Sequence, residues 1–293
     1  MTAGARNLPA LLQGLHDEGF TGTVRVSGTP GGTIHLRDGL IGAIETPGAP
    51  PASSLLLTPG RVDDEAWLAA RAAQPDVDRL GGQLVAAGLI GAAELEVVCV
   101  AAVFDAAFAM GLGPPGSWQL SGLEPTLRAQ PGVEPRKVTE ETTRRIAFLA
   151  EQWGPPGELV RVRPTLSPDA ETDGPPEWLS TRHRSVLGGV NGRRTARDIA
   201  FTLGRGLYAV LLDLIRLRTL ELVRWESGEG PRERPSTAPR VLPGNGAAPE
   251  AASRPVRVVP LPRRTPGGNA WRRGNAQGED PTSPAGSESW GGR

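Results

Sequence analysis

Apolar residues at the start of the chain keep helical spacing. Leu8, Leu11, Leu12 and Leu15 share a face, and Gly19 follows as a stop signal. The period then drops to two. Gly22-Thr23-Val24-Arg25-Val26 and Thr33-Ile34-His35-Leu36-Arg37 alternate around the turn cluster Thr29-Pro30-Gly31-Gly32. Asp38-Gly39 next offers the two-residue type I′ hairpin signal, and Leu40-Ile41-Gly42-Ala43-Ile44 supplies a third strand. The pattern predicts an antiparallel meander with one buried face, packed by the first helix.

Helical periods resume after the meander. Asp63-Asp64-Glu65 is an acidic start for a helix over Ala66–Ala73, because negative charge complements the helix N-terminus. Arg79–Gly88 reads as a short helix and Ala92–Leu112 as a long apolar one, with Leu95, Val98, Cys99, Ala102 and Phe108 on a wide stripe. Trp118-Gln119-Leu120 returns as an edge strand. Leu123–Arg136 is a Pro-punctuated linker, followed by an amphipathic helix over Lys137–Trp153. Glu158–Val162 is expected to be a strand and Pro164–Pro176 a loop.

Residues 178–226 show a further order: a helix near Arg182–Val190, a second over Ala196–Leu203 capped by Thr195, a Gly204-Arg205-Gly206 turn, a third helix from Leu207 to about Leu220, and an alternating Leu222–Trp225. Helix, helix, turn, helix and strand is winged-helix grammar. Residues 227–293 hold 11 Gly and 11 Pro against six residues drawn from Val, Leu, Ile and Phe, too little apolar surface to offset backbone ordering, so a disordered tail is expected. Its one apolar island, Val256–Arg264, is linker sequence or a short polyproline-type docking motif. The expected fold class is therefore α+β. An N-terminal hairpin sheet with helices spans 5–122, a linker with its helix 123–177, and a winged-helix-like domain 178–226, ahead of the tail.

Charge divides the same way, although the net charge is zero over 293 residues. Residues 1–122 carry six arginines against twelve acids, and residues 178–226 nine arginines against four acids. An acidic front and a basic rear imply separate surfaces with separate partners. Lys137 is the only lysine. The single cysteine, Cys99, excludes an intramolecular disulfide and a multi-cysteine metal site, and its place on the apolar helix predicts a buried, inert thiol. His16, His35 and His183 have no second ligand at metal spacing. Neither a Gly-Lys-Ser/Thr phosphate loop nor Gly-x-Ser-x-Gly occurs. These observations point to no enzyme, no cofactor and no metal. Met1–Gly14 lacks an export-type apolar core, and Glu96 and Asp105 break the most apolar stretch, so a cytoplasmic protein with no membrane partner is expected.

Two resemblances add to this picture. Leu8–Gly19, Thr21-Gly22-x-Val24-x-Val26 and Gly32-x-Ile34-x-Leu36-x-Asp38-Gly39-x-Ile41-x-Ala43 resemble the PATAN domain, the N-terminal domain of PatA-type bacterial regulators. That resemblance covers about residues 5–122 and implies protein contacts in response-regulator or small-GTPase signalling, with a small GTPase, a roadblock-type or a receiver protein as partner. Within it, Arg79-Leu80-Gly81-x-x-Leu84-Val85-x-x-Gly88-Leu89-Ile90-x4-Leu95 resembles the MshE-type N-terminal motif, tandem copies of which bind cyclic di-GMP. The resemblance makes Arg79, Gly81 and Gly88 candidate nucleotide-ligand residues. The chain holds Cys99 and Ala102 where that family has an aliphatic residue and a glutamine, and it has no second copy, so the alternative is a packing motif.

The Asn191–Ala200 stretch resembles a phrase common in bacterial winged-helix domains. Arg193, Arg194, Arg197, Arg205, Arg216 and Arg218 are its candidate contacts to DNA or to a protein partner. The third helix opens Leu207-Tyr208-Ala209-Val210-Leu211-Leu212-Asp213, where a recognition helix would offer polar side chains to base edges, and this favours protein docking over DNA reading. The sequence thus predicts a non-catalytic signalling adaptor. A winged-helix transcription regulator is the alternative, and a cyclic-dinucleotide-responsive module is third.

Overall fold

The computed structural model describes residues 7–74 and 76–225, apart from the side chains of Val77 and Asp173. The tail and its Val256–Arg264 island lie outside them. The described chain is mixed α and β, with one four-stranded antiparallel sheet and several helices.

Helix α1 (Leu8–Asp17) starts where Asn7 accepts a hydrogen bond from the Ala10 amide. Strands β1 (Gly22–Gly28), β2 (Gly32–Arg37) and β3 (Leu40–Glu45) form the expected meander. Asp38 and Gly39 both have positive φ, as a type I′ turn demands, and a Cβ on Gly39 would lie 2.6 Å from the His16 carbonyl oxygen. Strand β4 (Pro115–Ser121) pairs antiparallel with β1, giving the order β3-β2-β1-β4. Val24, Val26, Ile34, Leu36, Ile41 and Ile44 form a core with α1 and the helices that follow.

The sheet is buried on more than the one expected face. Thr23 and His35, on the side opposite Val24 and Ile34, are buried as well. The chain after β4 explains this. Residues 124–133 are packed rather than free, contrary to the linker reading: the Ala129 amide donates to the Gly42 carbonyl, and Ile41 and Val133 exchange backbone hydrogen bonds. The segment closes the β3 edge and leaves β4 as the open one. Arg128, almost wholly buried, pairs with Asp78 at 2.6 Å and fastens the segment to the neighbouring helices.

Helices α2 (Ala52–Leu57), α3 (Asp64–Ala73) and α4 (Val77–Ala86) surround the first half of α5 (Ala92–Gly111) in a second core that includes Leu56, Leu80, Leu84, Leu95 and Cys99. Asp63 and Asp76 cap α3 and α4 through their carboxylates. Helix α6 (Pro135–Trp153) packs along α5 and α1, so it too belongs to the body of the fold.

The expected strand over Glu158–Val162 is instead helix α7 (Pro156–Leu159), because Pro156 fits a first helical turn and leaves too little chain for a strand. The expected loop over Pro164–Pro176 contains strand β5 (Thr165–Leu166) and helix α8 (Pro168–Asp173), which Ser167 caps. Helices α9 (Thr181–Gly189), α10 (Ala196–Leu203) and α11 (Leu207–Thr219) follow, and β6 (Val223–Arg224) pairs antiparallel with β5. Thr195 and Asp198 complete a reciprocal capping box at α10. Strand β6 therefore closes onto chain that precedes the three helices. No helix among the described residues is long and apolar enough to cross a membrane.

Candidate functional site

The junction between the sheet-bearing part and the three C-terminal helices is built around Asp105. This residue lies on α5, is only 4% exposed, and accepts hydrogen bonds from the amides of Leu207 at 2.5 Å and Tyr208 at 2.8 Å. Helix α11 begins at Gly206, which has no side chain to cap it. A carboxylate from more than a hundred residues earlier thus satisfies its first amides. Burial pushes the Asp105 carboxyl above its ordinary range, against the lowering influence of the two amides and Arg145. Arg145 lies 4.8 Å from the centre of the Tyr208 ring and 5.7 Å from that of Phe104, tying α6 into the junction. Gly204 closes α10 in a left-handed conformation against α2; a Cβ there would lie 2.5 Å from Thr58 Cβ and 2.7 Å from the Ser54 carbonyl oxygen.

A second buried carboxylate, Asp213, organises the three-helix part. Arg182 Nε donates to both of its oxygens at 2.8 and 2.9 Å, and Arg205 donates at 2.6 Å. His183 Nε2 lies 3.5 Å away. Asp213 is 1% exposed, so two guanidiniums offset the cost of burying its charge.

These contacts sort the predicted arginines. Arg205 is held by Asp213. Arg218 lies 4.6 Å from the Trp225 ring centre and 5.4 Å from that of Trp153, whose rings stack at 4.0 Å. Both arginines have a structural task within the chain. Arg193, Arg197 and Arg216 are exposed and Arg194 is half-buried. Arg193, Arg194 and Arg197 flank the start of α10, whereas Arg216 sits in the last turn of α11. The structure thus brings three of the six together. Leu207, Val210, Leu211 and Leu214 form the buried face of α11, and the first half of its other face offers Tyr208, Ala209 and Leu212, all half-buried, rather than polar side chains.

The nucleotide-ligand candidates do not converge. The Arg79 side chain is 77% exposed and its nearest acid is Asp76 at 3.5 Å. Gly81 faces the interior, where a Cβ would lie 3.2 Å from Leu95 Cδ2 and 3.4 Å from Leu127 Cδ1. Gly88 has φ +67° and follows the end of α4 with open space around it. Close packing and helix termination account for both glycines. The Cys99 thiol is buried and pushed up to about 11, which disfavours the nucleophilic thiolate.

A cleft of about 830 Å³ opens between the two parts. The β1–β2 turn, the end of α5, the α7 segment and the start of α10 all contribute to its lining. Arg161, Arg163 and Arg197 line it, and Arg163 Nε donates to the Arg193 carbonyl at 2.9 Å. Sequence reasoning found Arg197 but missed Arg161 and Arg163, because their segment was assigned to a strand and loop outside any motif. It also missed the capping role of Asp105, although an acid in an otherwise apolar helix was the available signal. Comparison with protein-family models, with curated proteins and with solved structures finds no match to this chain.

Proposed function

We propose that the protein is a non-catalytic adaptor of bacterial signalling that joins protein partners, in keeping with the PATAN-like pattern of its first part. The observation that carries this reading over DNA binding is the fate of α11. Its N-terminus is capped from α5 by Asp105. The side chains it leaves partly exposed in its first two turns, Tyr208, Ala209 and Leu212, carry no donor or acceptor suited to base edges beyond the Tyr208 hydroxyl, which disfavours entry into a major groove. Apolar side chains exposed elsewhere support protein docking: Val97 is 66% exposed, Leu120 on the open β4 edge 51%, and Trp178 67%. The reading places the protein in the cytoplasm, with a small GTPase, a roadblock-type or a receiver protein as partner.

The experiment is affinity capture with the full chain, since residues 124–153 pack onto the first part and a fragment ending at 122 would expose that surface. Recovery of a small GTPase, roadblock-type or receiver protein, followed by reconstitution from purified components, supports the adaptor. A steeply salt-dependent electrophoretic shift with duplex DNA, and no such partner, supports the transcription regulator instead.

A further inference from the structure

The cleft between the two parts carries charge that the fold does not use. Arg161, Arg163 and Arg197 line it against a single acid, Glu158. Among the described residues Arg161 and Arg163 have no carboxylate within 4.0 Å, and Arg197 has only Asp198 at 3.9 Å. Arg163 is held through Nε by the Arg193 carbonyl, which leaves its terminal nitrogens free to donate. Three guanidiniums on one concavity repel one another, and a planar fork of donors matches phosphate oxygens two at a time.

The remainder of the lining narrows the ligand. Pro30, Pro47, Pro114, Leu112, Val160 and Leu207 give the cleft extensive apolar surface. A volume of about 830 Å³ far exceeds a lone phosphate and falls within the range of organic-ligand sites, which run from roughly 300 to 1,000 Å³. We propose that this cleft binds a phosphorylated small molecule of nucleotide size, its phosphates on Arg161, Arg163 and Arg197 and its organic body against the prolines. The site is distinct from the Arg79–Gly88 stretch and independent of the adaptor reading. Because the lining comes from both parts of the chain, the ligand would bridge them.

The test is calorimetric titration of the full chain, at near-physiological salt, with ADP, GDP, inorganic pyrophosphate, adenosine and an acidic hexapeptide. The expected result is saturable binding of a nucleoside diphosphate, weaker binding of pyrophosphate and none of adenosine. Arg161→Gln and Arg197→Gln should each weaken that binding by roughly tenfold or more, the loss expected for a charge-assisted pair. Both variants should melt within about a degree or two of the parent without ligand, because exposed arginines contribute little to stability. No saturable binding of any phosphate probe at millimolar concentration overturns the proposal. So does binding undiminished in both variants, pyrophosphate binding as tightly as the nucleotides, or tighter binding of the acidic peptide, which would mark a protein-docking surface.

Discussion

Removing the Asp105 carboxylate tests how the two parts of the chain are joined. Asp105→Ala leaves the amides of Leu207 and Tyr208 at the N-terminus of α11 without an acceptor. A hydrogen bond to a charged group contributes about 1.5–3 kcal/mol, and an orphaned buried donor keeps its full desolvation penalty. Relief of the buried charge offsets part of this, leaving an expected loss of roughly 2–4 kcal/mol. For a folded unit of this size that is a fall in melting temperature of roughly 4–16 °C. Asp105→Asn keeps one acceptor oxygen and should lose less.

The pH dependence has a definite sign. Burial raises the folded carboxyl above its unfolded value of about 3.9, so the folded state holds the proton to higher pH than the unfolded chain does. The contribution is fully present below the unfolded value and is lost as pH rises through the folded one. Relative to Asp105→Asn, the parent should therefore lose stability as pH rises from about 4, then level off. Urea unfolding at a series of pH values measures this. A change of less than about 0.5 kcal/mol in Asp105→Ala, or a pH trend of opposite sign, refutes the argument.

Three other substitutions probe separate parts of the fold. Gly204→Ala places a methyl group against Thr58 and the Ser54 carbonyl at a left-handed position, and should cost about 2–4 kcal/mol by thermal melting, whereas an alanine at an open left-handed position costs about 1. Leu84→Ala should cost about 2–5 kcal/mol through the cavity it leaves, while Arg79→Ala should stay within about 0.5 kcal/mol; the reverse order would mean that α4 is packed differently. The hydrogen bond from Arg144, with help from Arg145, holds the Glu141 carboxyl down at about 2. Its small stabilising effect is present above the unfolded value of about 4.3 and is lost as pH falls towards 2, so the difference in urea midpoint between the parent and Glu141→Gln should shrink over that interval.

Local signals told most of the secondary structure. Asp38-Gly39 announced its turn because only certain residues tolerate positive φ there, and Thr195 with Asp198 announced α10 because a capping box is a contact three residues long. Short elements were harder. Helices α2 and α7 have six and four residues, too few for a hydrophobic period to emerge, and β5 has two residues whose pairing with β6 is non-local. The linker reading of 123–136 failed for a related reason. Residues 123–134 hold no helix and Pro135 opens α6, but the stretch is ordered by lateral bonds to β3 and by the Arg128–Asp78 pair, which composition does not encode.

The least legible feature is the one that shapes the functional reading. A helix-turn-helix order with surplus arginine reads as a separate basic module, docking a protein or DNA, when taken by itself. The structure shows instead that α11 borrows its N-terminal cap from α5, that Gly204 seats the α10–α11 turn on α2, and that Arg145 of α6 reaches Tyr208. Each contact spans more than fifty residues of chain and leaves only a faint local trace, an acid in an apolar helix or a glycine in a turn. Two of the six arginines counted as available charge, Arg205 and Arg218, are already engaged by Asp213 and by the Trp153–Trp225 stack. Of the other four, Arg197 lines the cleft together with Arg161 and Arg163, whereas Arg216 sits in the last turn of α11. A charge surplus predicts polyanion binding only when the charges share an open face. Here the fold engages part of the surplus internally and places Arg197, with Arg161 and Arg163, in a concavity of small-molecule size, which supports the proposal of a phosphorylated ligand over that of a nucleic-acid groove.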